Sequence, residues 1–353
     1  MKDTTKLFTN LTADAVLVVS EKNRLYFTEF ASTFGYLVIM PNKSVLFTDA
    51  RYYEMATDIA SDKLEVVCVQ GAKVYDELIA LFKNEKIETV GFEDTEITVA
   101  EYNAMAEKLA SVKLVPAGKA IALMRSVKTD DEIACISKAQ AITDKAFSQI
   151  LQFIKPGMTE IEVCIELEYY MRKLGATSLA FDTIVASGVN TSKPHAHPTS
   201  KKIELGDAVT IDFGAAYNGY CSDMTRTFFV GNPKKEMVDI YNVVALAQRT
   251  AIQNAYCGMT GRELDSFARE IIVANGYGKY FSHSTGHSLG IDIHEYPSAS
   301  PASQDVLGHN QFITVEPGIY IPGLGGVRIE DLLLITKDGV IDLTTSNKNI
   351  IIL

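Results

Sequence analysis

The chain has 353 residues, 47% of them apolar, and a formal net charge of −11. This length is enough for two domains with their own cores, and the acidic balance argues against nucleic acid or an anionic membrane as a main partner. We expect no secretory signal, because the start M-K-D-T-T-K-L-F-T-N has no apolar h-region. We also expect no membrane span, because no apolar run reaches the roughly 18 residues that a spanning helix needs.

The first part of the chain is predicted to be an α/β domain without a catalytic cluster. A helix is predicted at Val74–Lys83, and the alternation of strands and helices favours a partly parallel sheet. Around Lys119–Lys128 we expect this pattern to break. The predicted strands are short segments rich in β-branched and aromatic residues: Ala15–Ser20, Gly35–Met40, Ser44–Thr48, Leu64–Val69 and Thr89–Phe92.

The second part contains an internal repeat with an offset of 101 residues. Long helices are predicted at Asp130–Phe153 and Lys235–Asn254, the first opened by a Thr129/Glu132 capping box. After each, a Gly-Met-Thr motif opens a second helix with Thr as N-cap and Glu three positions later, and a glycine ends it. The capping pairs are Thr159/Glu162 and Thr260/Glu263, and the stops are Leu174-Gly175 and Asn275-Gly276. Two such halves predict a pseudo-symmetric domain with its active site at the seam between the sheets.

Residues 210–227 are predicted to form a β-hairpin that carries two aspartates. Asn218-Gly219 is the preferred two-residue turn, because both positions need positive φ. If Tyr217 faces Tyr220, then Asp212 and Asp223 project from the same face as diagonal neighbours, roughly 7–8 Å apart at their roots. Two exposed acids on an ordinary hairpin would look similar. The apolar surroundings instead favour buried carboxylates that bind metal.

Five of the six histidines fall between residues 195 and 294. We interpret His287 as a candidate ligand and place His294 near it, because Ile291/Ile293 alternation predicts a strand. His195 lies on a loop, where functional residues concentrate. We interpret His197 and His309 as structural or solvent-facing.

Two glutamates complete the candidate site. Glu316 ends a predicted strand before Pro-Gly, and Glu330 follows Arg328 at a spacing that puts both side chains on one strand face. Arg328 could orient the carboxylate or bind a substrate carboxylate. Each glutamate alone could be a surface acid, but both are flanked by apolar β-formers. Four carboxylates and one imidazole make an oxygen-rich set that can hold two divalent ions.

The cysteine pattern favours a cytoplasmic protein. The cysteines are odd in number and widely spaced, which predicts reduced, buried thiols and no disulfide framework. Cys221 lies close to Asp223 but is interpreted as a packing residue, because a thiolate suits a softer metal site. The five cysteines are Cys68, Cys135, Cys164, Cys221 and Cys257.

At this point a family resemblance becomes specific. The blocks T-I-D-F-G…S-D-M-T-R-T, H-S-T-G-H-S-L-G-I-D-I-H-E, T-V-E-P-G-I-Y and G-V-R-I-E-D resemble the signature blocks of the pita-bread metallopeptidases, in particular the Xaa-Pro peptidases prolidase and aminopeptidase P. The resemblance covers the whole chain. It implies an α/β (α+β) protein with a creatinase-like N-terminal α/β domain over residues 1–122 and a pseudo-symmetric pita-bread catalytic domain over residues 123–353.

The resemblance also implies roles for individual residues. It assigns a dinuclear centre to Asp212, Asp223, His287, Glu316 and Glu330, with Asp223 and Glu330 bridging the ions. Catalytic roles toward the substrate fall to His195, His294, Glu316 and Arg328. The oxygen-rich ligand set favours Mn²⁺ or Co²⁺, with Zn²⁺ as a further option.

The implied activity is hydrolysis of the Xaa-Pro bond of dipeptides or short peptides by a hydroxide that bridges the two metal ions. The implied partners are short peptides with proline second, and the implied assembly is a homodimer. Three alternatives stay open: an aminopeptidase of other specificity such as methionine aminopeptidase, a non-catalytic peptide-binding module on the same fold, and a metal-free creatinase-like enzyme. The intact ligand set counts against the last two.

Overall fold

The computed structural model describes residues 2–9 and 11–353. By its contacts the chain divides into two units, Met1–Arg125 and Ser126–Leu353. Among the helices of the described residues, none combines the length and the apolar character that crossing a membrane requires.

The first unit is built on one six-stranded sheet. Its strands are β1 (Ala15–Val18), β2 (Tyr36–Ile39), β3 (Ser44–Thr48), β4 (Leu64–Cys68), β5 (Thr89–Phe92) and β6 (Lys113–Pro116). They lie in the order β4-β3-β2-β1-β5-β6. The pairs β3–β4, β1–β5 and β5–β6 are parallel and the other two are antiparallel. The predicted partly parallel sheet is confirmed.

One helix of this unit lies where the sequence predicted a break in the pattern. The helices are α1 (Glu21–Thr28), α2 (Tyr53–Thr57), α3 (Val74–Asn84), α4 (Val99–Lys108) and α5 (Gly118–Ser126). The break expected around Lys119–Lys128 is wrong for most of its length, because α5 fills it. The Asp94 carboxylate accepts a 2.7 Å hydrogen bond from the backbone N–H of Gly118 at the start of α5. That contact comes from a distant part of the chain and has no local signature.

The second unit has two halves, each with a pair of helices over its own apolar core. The helices are α6 (Asp130–Phe153), α7 (Glu160–Lys173), α8 (Lys235–Asn254) and α9 (Gly261–Ala274). The capping boxes predicted at Thr129, Thr159 and Thr260 are all present, with both reciprocal hydrogen bonds. The stop glycines Gly175 and Gly276 have φ of 105° and 85°. Local side-chain chemistry therefore fixes where these helices begin and end.

Short antiparallel sheets carry the candidate site. The strands are β7 (Ser178–Leu179), β8 (Ile184–Ser187), β9 (Ala208–Phe213), β10 (Ala215–Tyr217), β11 (Tyr220–Cys221), β12 (Met224–Phe229), β13 (Gly286–Ser288), β14 (Glu295–Ala299), β15 (Phe312–Val315), β16 (Gly318–Ile321), β17 (Gly325–Arg328), β18 (Asp331–Thr336) and β19 (Gly339–Asp342). The three-stranded sheets are β12-β9-β8, β11-β10-β7 and β15-β18-β19, and the pairs are β13-β14 and β16-β17.

The predicted hairpin is confirmed in its register. Tyr217 faces Tyr220, and Asp212 faces Thr225. Asn218 and Gly219 have φ of 50° and 83°, as a two-residue turn of this twist requires.

The strand predicted from Ile291/Ile293 is wrong. Residues 291–294 form a bend between β13 and β14. The N–H of Gly290 donates to the carbonyl of Asp292 (2.9 Å), and the N–H of Asp292 donates to the Glu295 carboxylate (3.2 Å). Glu295 is in turn paired with the buried Lys128 (2.9 Å). This polar anchor turns the chain tightly, and apolar alternation does not reveal it.

The cysteines are free thiols, but the prediction that all are buried is wrong. Cys221 is buried as the packing interpretation requires, whereas Cys68 is exposed and three others are partly exposed. Cys68 ends β4, the edge strand of the first sheet, which explains its exposure.

A steric prediction follows from the hairpin. A Cβ at Gly214 would overlap the carbonyl group of Ser222, and backbone cannot move aside as a flexible side chain can. We expect Gly214→Ala to lower the free energy of unfolding by about 1–3 kcal/mol, the usual range for overpacking. Gly308→Ala is the control, since its Cβ would meet only ordinary contacts of 3.5 Å or more. Chemical denaturation of both variants tests this, and equal stability of the two would contradict it.

Candidate metal centre

A cavity of about 480 Å³ in the second unit gathers every residue predicted for the site. It draws on the hairpin β9–β12, the loop after β8, and the segments around β13, β15 and β17. The predicted residues on its wall are His195, Asp212, Asp223, His287, His294, Glu316, Arg328 and Glu330.

Three of the predicted ligands form the tightest cluster. One ligand atom from each of Asp223, His287 and Glu330 lies within 4.8 Å of the others. Asp223 and Glu330 are 4% and 1% exposed, so their carboxylates cannot rely on bulk water. A group of this kind is stable only if a proton or a cation compensates its charge.

The remaining two predicted ligands flank this cluster. Glu316 directly follows β15, and its Oε1 lies 3.4 Å from Nε2 of His287. Asp212 is held by Arg328, whose Nη2 is 2.6 Å from Oδ2. The other oxygen, Oδ1, is buried and accepts no hydrogen bond.

His287 has a defined tautomer. Its Nδ1 lies 3.1 Å from the carbonyl oxygen of Ser288, which can only accept, so Nδ1 carries the proton. Burial, followed by repulsion from His294, lowers the pKa of His287 to about 4, which makes the ring neutral at pH 7. The lone pair of Nε2 then faces Glu316 and, at 3.5 Å, Oδ2 of Asp223. An imidazole lone pair directed at two carboxylates is the arrangement of a metal site.

The protein leaves oxygens of these acids without partners. Within residues 2–9 and 11–353, three carboxylate oxygens are buried and accept no hydrogen bond, namely Asp212 Oδ1, Asp223 Oδ1 and Glu330 Oε1. Such groups are rare in folded proteins and call for an ion or another partner. The donor set therefore fits hard divalent cations.

The electrostatics agree with this fit. Burial, and then repulsion from neighbouring acids, raises the pKa of Asp223 and of Glu330 well above the ordinary range. Burial raises the pKa of Glu316 to about 8. Four acids this close are a poor arrangement for a metal-free protein, because each one ionised opposes the next.

The hydroxyl of Thr225 connects Arg328 to the Glu330 carboxylate. Oγ1 of Thr225 donates to the Glu330 carboxylate (2.7 Å) and accepts from Nε of Arg328 (3.0 Å). Arg328 thus supports Asp212 on one side and Thr225 on the other. The guanidinium thus contacts the Asp212 carboxylate directly and the Glu330 carboxylate through one hydroxyl, which is the geometry that an orienting role requires.

The histidines that face the cavity lie around this cluster. The ring of His294 stands edge-on to that of His287, with centroids 4.4 Å apart, so its predicted proximity is confirmed. His195 and His197 are exposed on the loop after β8 and both line the cavity. His197 is solvent-facing as expected, but its place on the cavity wall was not expected.

Sequence reasoning missed a polar chain beside the cluster. Arg328 Nη1 donates to Tyr320 Oη (2.7 Å), and Tyr320 Oη lies 2.8 Å from Nε2 of His283. Nδ1 of His283 donates to the carbonyl of Ser284, so its Nε2 accepts the tyrosine proton. Burial lowers the pKa of His283 to about 4, in keeping with a neutral ring. Their positions in the sequence could have indicated this chain, since His283 lies four residues before the predicted ligand His287 and Tyr320 lies four residues after the predicted ligand Glu316.

Comparison with known proteins gives a consistent result. Residues 134–337 match metallopeptidase family M24, and residues 1–127 match the creatinase/prolidase N-terminal domain. A Xaa-Pro dipeptidase of Pyrococcus furiosus is 42% identical over 96% of this chain and 95% of its own. The structure of a Xaa-Pro dipeptidase from Bacillus anthracis superposes with a TM-score of 0.95 at 44% identity, covering 99% and 98% of the two chains. That of an X-Pro aminopeptidase from Thermotoga maritima gives 0.91 at 37% identity, covering 97% and 98%.

Proposed function

The chain belongs to the Xaa-Pro peptidase branch of metallopeptidase family M24, and we propose that it hydrolyses the bond before proline in short peptides at a centre of two divalent metal ions. The observation that carries the metal centre is the neutral His287, whose Nε2 lone pair faces the carboxylates of Asp223 and Glu316. The unpartnered oxygens of Asp212, Asp223 and Glu330 support it.

We propose five ligands for the two ions: Asp212, Asp223, His287, Glu316 and Glu330. The family resemblance implies that Asp223 and Glu330 would be shared by both ions, and their place with His287 in the tightest cluster supports this role. Oxygen ligands dominate, which favours Mn²⁺ or Co²⁺ over Zn²⁺. When bound, such ions lower the pKa of a water between them and polarise the scissile carbonyl.

The protein's own groups supply positioning and proton transfer. The leaving proline nitrogen is a secondary amine and must gain a proton as the bond breaks. Glu316 is proposed to carry it, because its carboxylate lies on the cavity wall with Oε1 3.4 Å from Nε2 of His287, within reach of a substrate bound at the centre. His294 and His195 stand on the cavity wall and are proposed to stabilise the charge that develops on the carbonyl oxygen.

The substrate length is decided by experiment, since both dipeptidases and aminopeptidases occur among the relatives. We expect chelator-treated protein to be inactive and to regain activity toward Ala-Pro, Ala-Pro-Ala or both when Mn²⁺ is added. Ala-Pro alone would show a dipeptidase, and Ala-Pro-Ala alone an aminopeptidase. Comparable cleavage of Ala-Ala would contradict the preference for proline and favour an aminopeptidase of other specificity. Absence of cleavage together with absence of bound metal would favour a peptide-binding module.

The family resemblance also leads us to propose a homodimer in the cytoplasm. Sedimentation of the purified protein tests the assembly, and a monomer at micromolar concentration would contradict it.

A further inference from the structure

A buried carboxylate outside the metal cluster holds both ends of the loop that carries His195. Glu160 lies in the first turn of α7 and is 0% exposed. Its Oε1 accepts from the N–H (2.7 Å) and Oγ (2.9 Å) of Ser187. Its Oε2 accepts from the N–H (3.0 Å) and Oγ1 (2.5 Å) of Thr199. Nδ2 of Asn190 lies 3.1 Å from Oε1 and 3.4 Å from Oε2.

The loop between these anchors forms part of the cavity wall. It runs from Ser187, the last residue of β8, to Thr199, and its residues 194–197 line the cavity. Its middle is attached elsewhere, since Thr191 Oγ1 accepts from the N–H of Gly326 (2.8 Å). Arg328 Nη1 also donates to the carbonyl of Pro194 (3.3 Å). The position of His195 is thus defined at the two ends of the loop by one carboxylate and near its middle by β17.

Helix formation alone does not account for Glu160. An acid in a first helical turn is favoured by the helix dipole, but an exposed one serves that purpose. Here each oxygen binds one end of the same loop through a backbone N–H and a hydroxyl. Lys201 adds a cation beside the arrangement, with Nζ 3.0 Å from Ser187 Oγ. A buried charge with this many donors from one segment fixes that segment in one conformation.

The other half of the unit has a related arrangement at the second histidine segment, where a carboxylate binds one residue of the chain. Asp265 on α9 is 1% exposed and accepts from the N–H (3.1 Å) and Oγ1 (2.8 Å) of Thr285. It is paired with Arg269, whose Nη2 donates to the carbonyl of His283 (2.8 Å). In both halves a carboxylate from the second helix binds the chain next to the histidines of the cavity.

We infer that Glu160 is a positioning residue of the proposed hydrolysis, which acts by holding the loop of His195 against the metal centre. The inference rests on the proposed function, because it requires His195 to contact the substrate. Glu160 itself does not line the cavity formed by the described residues. Its effect is therefore transmitted through the loop and has a signature that a general loss of stability would not have.

The test is a double-mutant cycle with Glu160→Gln and His195→Ala. The glutamine removes the charge and turns one acceptor into a donor that faces the donors of the loop. We expect Glu160→Gln to lower kcat roughly 10- to 100-fold, as misplacement of a catalytic group does, with the metal content of the wild type. If Glu160 acts through His195, the double variant loses no more than about threefold beyond His195→Ala, because coupled changes are not additive. Multiplicative losses would overturn the inference.

The matched control is Glu162→Gln, two residues along the same helix. Glu162 forms the capping box with Thr159 (2.7 Å to its N–H), and glutamine preserves such a box. We expect this control to keep wild-type kcat. If Glu160→Gln and Glu162→Gln lowered kcat equally, the charge at the start of α7 would determine the rate and the contacts of Glu160 with the loop would not. Thr199→Val removes the hydroxyl of one anchor, keeps its backbone N–H and leaves the sequence of α7 unchanged, and we expect a smaller loss in the same direction. It replaces Glu160→Gln in the cycle if that variant does not fold.

Hydrogen exchange of the metal-free protein separates this inference from the proposed function. We expect faster amide exchange over residues 188–198 in Glu160→Gln than in the wild type or in Glu162→Gln. Unchanged exchange would overturn the inference even if the enzyme cleaves Xaa-Pro bonds. Faster exchange in a protein without Xaa-Pro activity would show that the loop is held as described while the proposed reaction is wrong.

Discussion

Asp223→Asn is expected to remove both metal binding and peptide hydrolysis while the protein stays folded. Asp223 is 4% exposed, lies within 4.8 Å of ligand atoms of His287 and Glu330, and has one buried oxygen without a partner. An amide of the same shape offers one weak acceptor and no charge, so the proposed shared ligand of the two ions is lost. The decrease in activity should exceed the roughly 10- to 100-fold that is usual for residues that only support metal ligands.

The stability of the variant provides the internal check. Burial, then repulsion from Asp212 and Glu316, raises the pKa of Asp223, so its ionised form opposes folding of the metal-free protein. An acid whose pKa is higher in the folded than in the unfolded protein stabilises the folded protein at low pH, where the acid is protonated. This stabilisation is lost as the pH rises through the folded-state pKa. At neutral pH the neutral asparagine should therefore leave the metal-free protein at least as stable as the wild type. Added Mn²⁺ should raise the melting temperature of the wild type only.

Metal analysis and thermal unfolding together decide this prediction. Asp182→Asn is the comparison, since Asp182 lines the same cavity but is exposed, and we expect it to retain its metal. Two equivalents of metal on the folded Asp223→Asn protein would contradict the ligand assignment. A variant that fails to fold would contradict the expected electrostatics.

The features that the sequence predicted well are those set by neighbouring residues. Each capping box needs only hydrogen bonds between a threonine and the glutamate three residues later. These boxes begin at Thr129, Thr159 and Thr260. The register of the hairpin follows from its two-residue turn, which places Asp212 opposite Thr225. Because side chains alternate between the two faces of a strand, this register places Asp212 and Asp223 on the same face of the hairpin.

The features that it missed depend on contacts between distant segments. The bend at residues 291–294 depends on Glu295 and its partner Lys128, which are 167 positions apart. The support of Asp212 by Arg328 spans 116 positions. Glu160 accepts hydrogen bonds from Ser187 and Thr199, which lie 27 and 39 residues away in the sequence. No local pattern marks such pairs, because each member alone is an ordinary polar residue.

His294→Ala is the second large prediction, and it separates catalysis from metal binding. The ring of His294 stands edge-on to His287 at 4.4 Å on the exposed side of the cluster. Its removal leaves the atoms of Asp223, His287 and Glu330 in place. We expect the variant to bind metal like the wild type and to turn over roughly 10²- to 10⁴-fold more slowly, the range for an acid–base residue or an oxyanion donor.

The pattern of kinetic constants should identify what His294 does. If it acts on the transition state, kcat and kcat/KM fall together and KM stays close to the wild-type value. His294→Gln should recover part of the rate, because its amide can still donate to a developing oxyanion, whereas it cannot replace an acid–base group. His309→Ala removes another exposed histidine, on a turn, and should leave turnover unchanged. Loss of metal from His294→Ala would instead make this imidazole a ligand, and the neutral His287 would then share its role at the centre.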